Sequence, residues 1–238
     1  MQFDFLEFTE ALECSFTRRV ALRPVALSDA WPLFAATRNP AFNRHLSWTQ
    51  PENEELVLKR VRLIMDAARR GRLTALSAVQ RSTGEFIGLF RFLPHATLQD
   101  TVEMGVWMHD KFWHGRYGLE LGQLCVSAAF SLSNVHQLLG ASTPDNRGSC
   151  HLMEAVGMTP LRMVERDLEI GRLALREYTI TRADWAARHV SAFSVFDDNH
   201  VVDHLPPPRP TLQIERAAEA LQLQAEVPET VTGELQHA

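Results

Sequence analysis

Between Thr101 and Glu120 a strand pattern runs through a glycine-bearing turn directly into a helix pattern. This juncture constrains the chain more than any other stretch. On a strand, Thr101, Glu103, Gly105 and Trp107 share one face, and Val102, Met104, Val106 and Met108 share the other. The second set has the character of core, which turns Glu103 towards a cleft or towards solvent. A helix is predicted over 119–133, with Leu121, Leu124, Cys125, Ala128, Ala129 and Leu132 along one side and Asn134 closing it. Backbone N–H groups at such a helix start lack partners, and the dipole favours negative charge there. That suits a pyrophosphate. A simple turn is the plainer reading of two glycines before a helix, so the surroundings must decide.

The surroundings alternate strands with helices. A strand is expected over 16–25, then a short helix beginning near Ser28 and Asp29, and a longer helix over 51–70. In the longer one Pro51 suits the first position, acids open it, Arg69 and Arg70 close it, and Val57, Val61, Ile64 and Ala68 form its buried stripe. Strands over 73–80 and 85–93 flank the hairpin signal Ser82-Thr83-Gly84. After the central strand and helix come a strand over 137–142, a helix over 147–156 and a strand pair over 161–169 and 174–181.

Charge marks the expected domain boundary. Residues 188–238 hold three Arg against eight acids, so this tail carries all of the net charge of −5. Pro206-Pro207-Pro208-Arg209-Pro210 reads as a stiff spacer. Ile214, Ala217, Ala218, Leu221 and Ala225 then recur at helical spacing, a stripe able to join a partner or a second copy of the chain. Two units are therefore expected, a folded domain over 1–187 and an acidic extension over 188–238. Near-neutral charge in the first unit argues against a nucleic-acid partner. No apolar run is long enough to span a membrane. Met1–Leu12 carries acids and no Lys or Arg, unlike a secretory signal, and Cys14, Cys125 and Cys150 form no disulfide framework. A cytoplasmic location is expected.

A second block, Thr143 to Met158, places Asn146 and Ser149 at the start of a short helix that ends at Val156-Gly157-Met158. With the segment Glu103-x-Gly105-x-Trp107 … Trp113-His114-Gly115-Arg116-Tyr117-Gly118-Leu119-Glu120, it resembles the GCN5-related N-acetyltransferases, in particular the branch acting on ribosomal-protein N-termini. The opening Val20–Val25 with Asp29 and the ending Glu177–Trp185 resemble that branch as well, so the likeness covers about residues 16–187 in order. It implies an α/β acyltransferase fold, a mixed and mostly antiparallel sheet splayed at the cofactor and flanked by helices.

The resemblance implies that acetyl-CoA is the co-substrate and a primary amine the acceptor: a protein N-terminus, an amino acid or a small molecule. Its pyrophosphate would lie on the amides of His114, Gly115, Arg116, Tyr117, Gly118 and Leu119. The strand at Trp107 and Met108 would meet the pantetheine arm, and Asn146 would hold the cofactor from the next strand's end. Glu103 matches the acidic position that deprotonates the amine directly or through water, and Ser149 a hydroxyl near the departing thiolate. Two residues depart from the pattern. Arg116 replaces a glycine and either deforms the cradle or offers its guanidinium to the phosphates. Met153 stands where many members carry a tyrosine acid, leaving that role to Ser149 or solvent.

The remaining candidates have plain readings. His109 and His114 lie five apart around a turn with no third ligand, so no metal is expected. Cys125 and Cys150 read as core fillers, and Arg69, Arg70 and Arg72 as a helix end. The loops over 39–50 and 94–100 would select the acceptor. The expected activity is direct acetyl transfer to an amine, and the alternative is a non-catalytic acyl-CoA-binding module.

Overall fold

The apolar residues of two central strands face both ways, so the sheet they build has to be covered on both sides. The computed structural model describes residues 4–13, 15–95, 98, 101–132 and 135–193. Its strands are β1 (Val20–Pro24), β2 (Thr74–Gln80), β3 (Phe86–Pro94), β4 (Thr101–Met108), β5 (Gln137–Ser142), β6 (Thr159–Leu168) and β7 (Gly171–Thr181). They form one seven-stranded sheet in the order β1-β2-β3-β4-β5-β7-β6. Only the β4–β5 pair is parallel; the others are antiparallel. The fold class inferred from the sequence is the one observed.

One face packs under α1 (Phe5–Glu13), α5 (Tyr117–Leu132) and α6 (Arg147–Ala155), with Phe8, Phe90, Phe92, Cys125 and Tyr178 in its core. The other lies under α2 (Ala30–Ala36), the single turn α3 (Pro40–Asn43) and α4 (Glu54–Arg69), around Leu33, Val61, Ile64 and Leu89. α7 (Arg182–Phe193) follows β7. The sequence reading did not anticipate α1, whose start is capped by Asp4: its carboxylate accepts from the amides of Leu6 and Glu7 at 2.9 and 3.1 Å. α7 runs across position 187, where the charge balance had set a boundary. There Arg188 packs against Gly157, its Nη1 lying 2.6 Å from where a Cβ would stand. The proline spacer, the apolar stripe of the extension and Asn134 lie outside the described residues.

Two local expectations are corrected. α4 starts at Glu54, because Asn53 rather than Pro51 caps it: the Asn53 side chain accepts from the Leu56 amide at 3.2 Å. Its buried stripe uses Ala67 in place of Ala68. The first strand is shorter than expected, with only an isolated bridge from Phe16 to Ala21 before β1.

The feature that makes room for chemistry is a fork. β4 and β5 pair over three positions, the last being Glu103 with Leu139, and then part. The His109 amide donates to Ile87 on β3, so by alternation Trp107 and Gly105 turn their backbone groups to β3, while Met104, Val106 and Met108 turn theirs to the open side. Close packing beneath the fork depends on missing side chains. A Cβ on Gly122 of α5 would lie 2.8 Å from Val156, and one on Gly140 of β5 would lie 2.9 Å from the Met153 sulfur.

Asp29 ties the first strand to the second layer. Buried at 2% exposure, it accepts from both Nη atoms of Arg23, from the Ala26 amide at 2.8 Å and from the Ser77 hydroxyl at 2.6 Å. Asp29→Ala leaves these donors unmatched and should cost about 2 to 3 kcal/mol. Urea unfolding should show an earlier midpoint with an unchanged slope.

Candidate active site

A cavity of about 210 Å³ passes through the fork. On the α5–α6 side it touches Gly118, Leu121, Gly122, Leu152 and Val156; on the other it reaches Arg44 to Trp48, Arg91, Glu103 and Arg166. A ligand inserted from the helix side therefore meets one entering from the opposite face at the parting of the two strands.

On the helix side, the turn before α5 is strained into a cradle. Gly115 and Arg116 take φ of +78° and +65°, and Arg116 is the single non-glycine among the described residues with a left-handed φ. The amides of the six residues from His114 to Leu119 meet no hydrogen-bond acceptor among the described residues. Arg19 holds the turn from behind, donating from Nη1 to the Gly115 carbonyl at 2.8 Å and from Nε to Glu120 at 2.7 Å. Burial alone would raise the Glu120 carboxyl, but the Thr17 hydroxyl and the Arg19 guanidinium outweigh it and hold it below the usual value. Tyr117 faces away from this cradle. Its ring lies under Arg19 at 4.3 Å and against Phe112, and its hydroxyl accepts from Gln80 at 3.0 Å.

The residues singled out from sequence come together unequally. Glu103, Trp107, Gly118, Asn146 and Ser149 all line the cavity. Asn146 caps α6, its side-chain oxygen accepting from the Ser149 amide at 3.2 Å. Trp107 packs its ring against Phe86 on the face opposite α5. The Met108 carbonyl accepts from the Trp113 indole at 2.9 Å, and past the last paired position, Glu103 with Leu139, the open edge of β4 presents the backbone of Val106 and the Met108 amide. His114, Gly115 and Arg116 are exposed, and Tyr117 and Leu119 are half-buried. Met153 is buried beneath Gly140, and burial pushes the Cys125 thiol up, as suits a core residue. The described residues contain no cluster able to hold a metal and no helix long and apolar enough to cross a membrane.

Glu103 is not a simple solvated carboxylate. Both of its oxygens accept from Arg166 Nη1, at 2.7 and 2.8 Å, and Arg166 Nη2 donates to Glu177 at 2.7 Å. Glu177 also accepts from Arg162 at 2.7 Å. The hairpin β6–β7 thus reaches back over β5 to hold the acid at the fork. Sequence reasoning missed this ladder, because its members lie 63 and 11 residues apart and meet only once the sheet is assembled. It also missed Arg91, although a lone charge inside the apolar run Phe86–Leu93 was a visible signal.

The fold is shared with an acetyltransferase of the GNAT family from Bacillus anthracis, 17% identical with a TM-score of 0.61 over 71% of this chain and 98% of its own. The acetyltransferase (GNAT) domain matches residues 19–159, and the chain belongs to that family. An uncharacterized N-acetyltransferase, p20, of Bacillus licheniformis is 21% identical over 145 residues, covering 61% of this chain and 82% of that protein. Two further solved structures share the fold. RimJ of Mycobacterium smegmatis, in complex with CoA-disulfide, is 21% identical with a TM-score of 0.59, over 73% of this chain and 89% of its own. RimL, a ribosomal L7/L12 α-N-protein acetyltransferase in complex with coenzyme A, is 16% identical with a TM-score of 0.61, over 69% and 95%.

The ladder should show itself in acid. Burial works to raise the Glu177 carboxyl, but the hydrogen bonds from Arg162 and Arg166 prevail and hold it below the usual 4.5. A carboxyl depressed in the folded state stabilises above its unfolded pKa, and that stability is lost as pH falls through the folded value. Denaturation midpoints measured from pH 7 downwards should therefore drop below about pH 4.5. Glu177→Gln should be less stable at neutral pH and lose less on acidification.

Proposed function

We propose that this protein transfers the acetyl group of acetyl-CoA to a primary amine by direct attack within the fork. The observation that carries the reading is a cavity that runs from the first turn of α5, at Gly118, through the parted strands to Glu103. In this reading the pyrophosphate lies on the amides of His114–Leu119, where helix start and free N–H groups favour an anion. The pantetheine arm replaces the missing strand pairing, meeting the backbone of Val106 and the Met108 amide, with Asn146 and Trp107 beside it.

The thioester carbonyl then sits near Glu103. An amine nitrogen attacks it, the carbon–sulfur bond breaks, and the thiolate departs towards Ser149, whose hydroxyl lines the cavity and makes no hydrogen bond among the described residues. The amine must arrive or become neutral to attack. Arg166 occupies one lone pair on each Glu103 oxygen, and a carboxylate has more, so Glu103 can still accept the amine's proton directly or through water. The acceptor enters from the face lined by Arg44 to Trp48, which lies within the loop expected to select it. A protein N-terminus, as for RimL, an amino acid or a small amine each fits this route. The extension beyond residue 188 is assigned to contact with a partner or a second copy, in a cytoplasmic protein.

The second reading, an acyl-CoA-binding module without turnover, is favoured by Met153, which places no hydroxyl where the family's tyrosine acid stands. Thiol release from acetyl-CoA over a panel of amines separates the two. Binding without release at any pH supports the module.

Two substitutions test the roles. Glu103→Gln keeps the shape, so acetyl-CoA affinity by calorimetry should survive while turnover near neutral pH falls by roughly 10²- to 10⁴-fold. The deficit should narrow at high pH, where the amine is neutral unaided. Arg116→Gly removes a left-handed side chain and should stabilise the protein by about 1 kcal/mol in thermal unfolding. Weaker acetyl-CoA binding in the same variant would assign the guanidinium to the phosphates, and tighter binding would show it obstructs them.

A further inference from the structure

Arg91 is the buried charge of the site that has no partner among the described residues. It stands in the middle of β3, flanked by Phe90 and Phe92, and is 9% exposed. Its Nε is buried without a partner, and its guanidinium enters no hydrogen bond or ion pair among the described residues. Three neighbouring cations are engaged, Arg166 with Glu103 and Glu177, Arg162 with Glu177, and Arg60 with Glu169, while Arg44, which also lines the cavity, is exposed to solvent. Glu103 attracts Arg91 across the site, but its oxygens are bonded to Arg166 and it makes no hydrogen bond or ion pair with Arg91.

The position of the side chain is built rather than accidental. Arg91 pairs across the sheet with Gly105, and its Nη2 lies 3.9 Å from where a Cβ on that glycine would stand. Directly opposed residues share a face, so Arg91 lies on the face of Glu103, whose cross-strand partner is Leu93. Glu103 is two residues from Gly105, about 7 Å along the strand. Both side chains line the cavity, together with Arg44, His45 and Arg166. Three guanidiniums thus surround one carboxylate. Burial, and then the proximity of Arg60, pull the Arg91 guanidinium down to about 10, which still leaves it charged at neutral pH. An unpaired buried cation is costly, and a ligand that brings the missing anion removes the cost.

We propose that the acceptor is an amine that carries an oxyanion, carboxylate or phosphate, within a few bonds of its nitrogen, and that Arg91 binds this oxyanion while the nitrogen lies at Glu103. The inference rests on the acetyl-transfer reading above for the role of the amine. The planar fork of the guanidinium can take two oxygens of either group. Arg91 then acts as a specificity determinant: it binds the acceptor and takes no part in the movement of protons.

The test uses matched pairs that differ in the oxyanion alone: aspartate against its diamide, in which both carboxylates are amides, and phosphoethanolamine against ethanolamine. The first pair probes a carboxylate and the second a phosphate. Thiol release with the full-length protein should give a kcat/KM at least roughly 10- to 100-fold higher for the anionic member of one pair, the range expected of a charge-assisted hydrogen bond. In Arg91→Met, which keeps the bulk of the side chain, that ratio should collapse towards one, chiefly through KM. Arg91→Lys should fall between. The ligand-free Arg91→Met protein should melt higher than the wild type, because an unmatched buried charge has been removed.

A second measurement is independent of turnover. Calorimetric titration of aspartate and of phosphoethanolamine into the CoA-saturated wild type should show binding of at least one, and Arg91→Met should show none. Equal kcat/KM within both pairs, or equal binding by wild type and Arg91→Met, overturns the proposal while acetyl transfer stands. Absence of thiol release with every amine, despite acetyl-CoA binding, overturns the transfer reading; aspartate or phosphoethanolamine binding that depends on Arg91 would still uphold the oxyanion site.

Discussion

Everything in the site follows from the failure of β4 and β5 to stay paired beyond Glu103 and Leu139. Backbone N–H and C=O groups inside a protein need partners, and a sheet that parts in its middle leaves a row of them without. The chain spares itself part of this deficit, since the Trp113 indole takes the Met108 carbonyl. The remainder is a template for an extended ligand that can hydrogen-bond like a strand. The same parting opens a passage through the sheet that is lined by residues of both faces.

The charges near the fork are organised around that opening. Glu103, Arg166, Glu177 and Arg162 form a continuous ladder that couples the acid at the fork to the hairpin β6–β7. Buried ion pairs add little net stability when complete and cost much when broken, so the ladder serves chiefly to hold Glu103 in one orientation. On the helix side Arg19 does similar work with Glu120 and the Gly115 carbonyl, keeping the turn in a left-handed shape that its own sequence, with Arg116, does not favour.

Most of the sheet was legible because its strands and helices carry different periods. The strand predicted over 137–142 coincides with β5, and the strands around the Ser82-Thr83-Gly84 turn match β2 and β3 within a residue or so. α4 was legible in its stripe but not in its start, because a proline signal competed with an Asn cap two residues on and the cap prevailed. α1 was missed for a different reason: its opening segment was weighed only as a leader, although Phe5, Phe8 and Leu12 already had helical spacing. In the site, Glu103, Asn146 and Ser149 could be found because they sit inside local motifs. Arg166 could not, since a strand arginine among other charged residues looks like a solvated face until the sheet folds it over β5. Arg91 lay between these cases, its oddity visible and its meaning dependent on what surrounds it.

The turn between β6 and β7 crosses to the other layer. Glu169 accepts there from Arg60 at 2.7 Å and from the Thr49 amide at 3.1 Å, and Arg60 in turn lies over the Trp48 ring. The β6–β7 turn, the 44–49 loop and α4 are therefore joined beside the cavity through contacts that are electrostatic instead of covalent. Glu169 is 38% exposed at these contacts, so dissolved ions reach and screen it. The hold of the hairpin on this loop is thereby linked to the ionic strength of its surroundings.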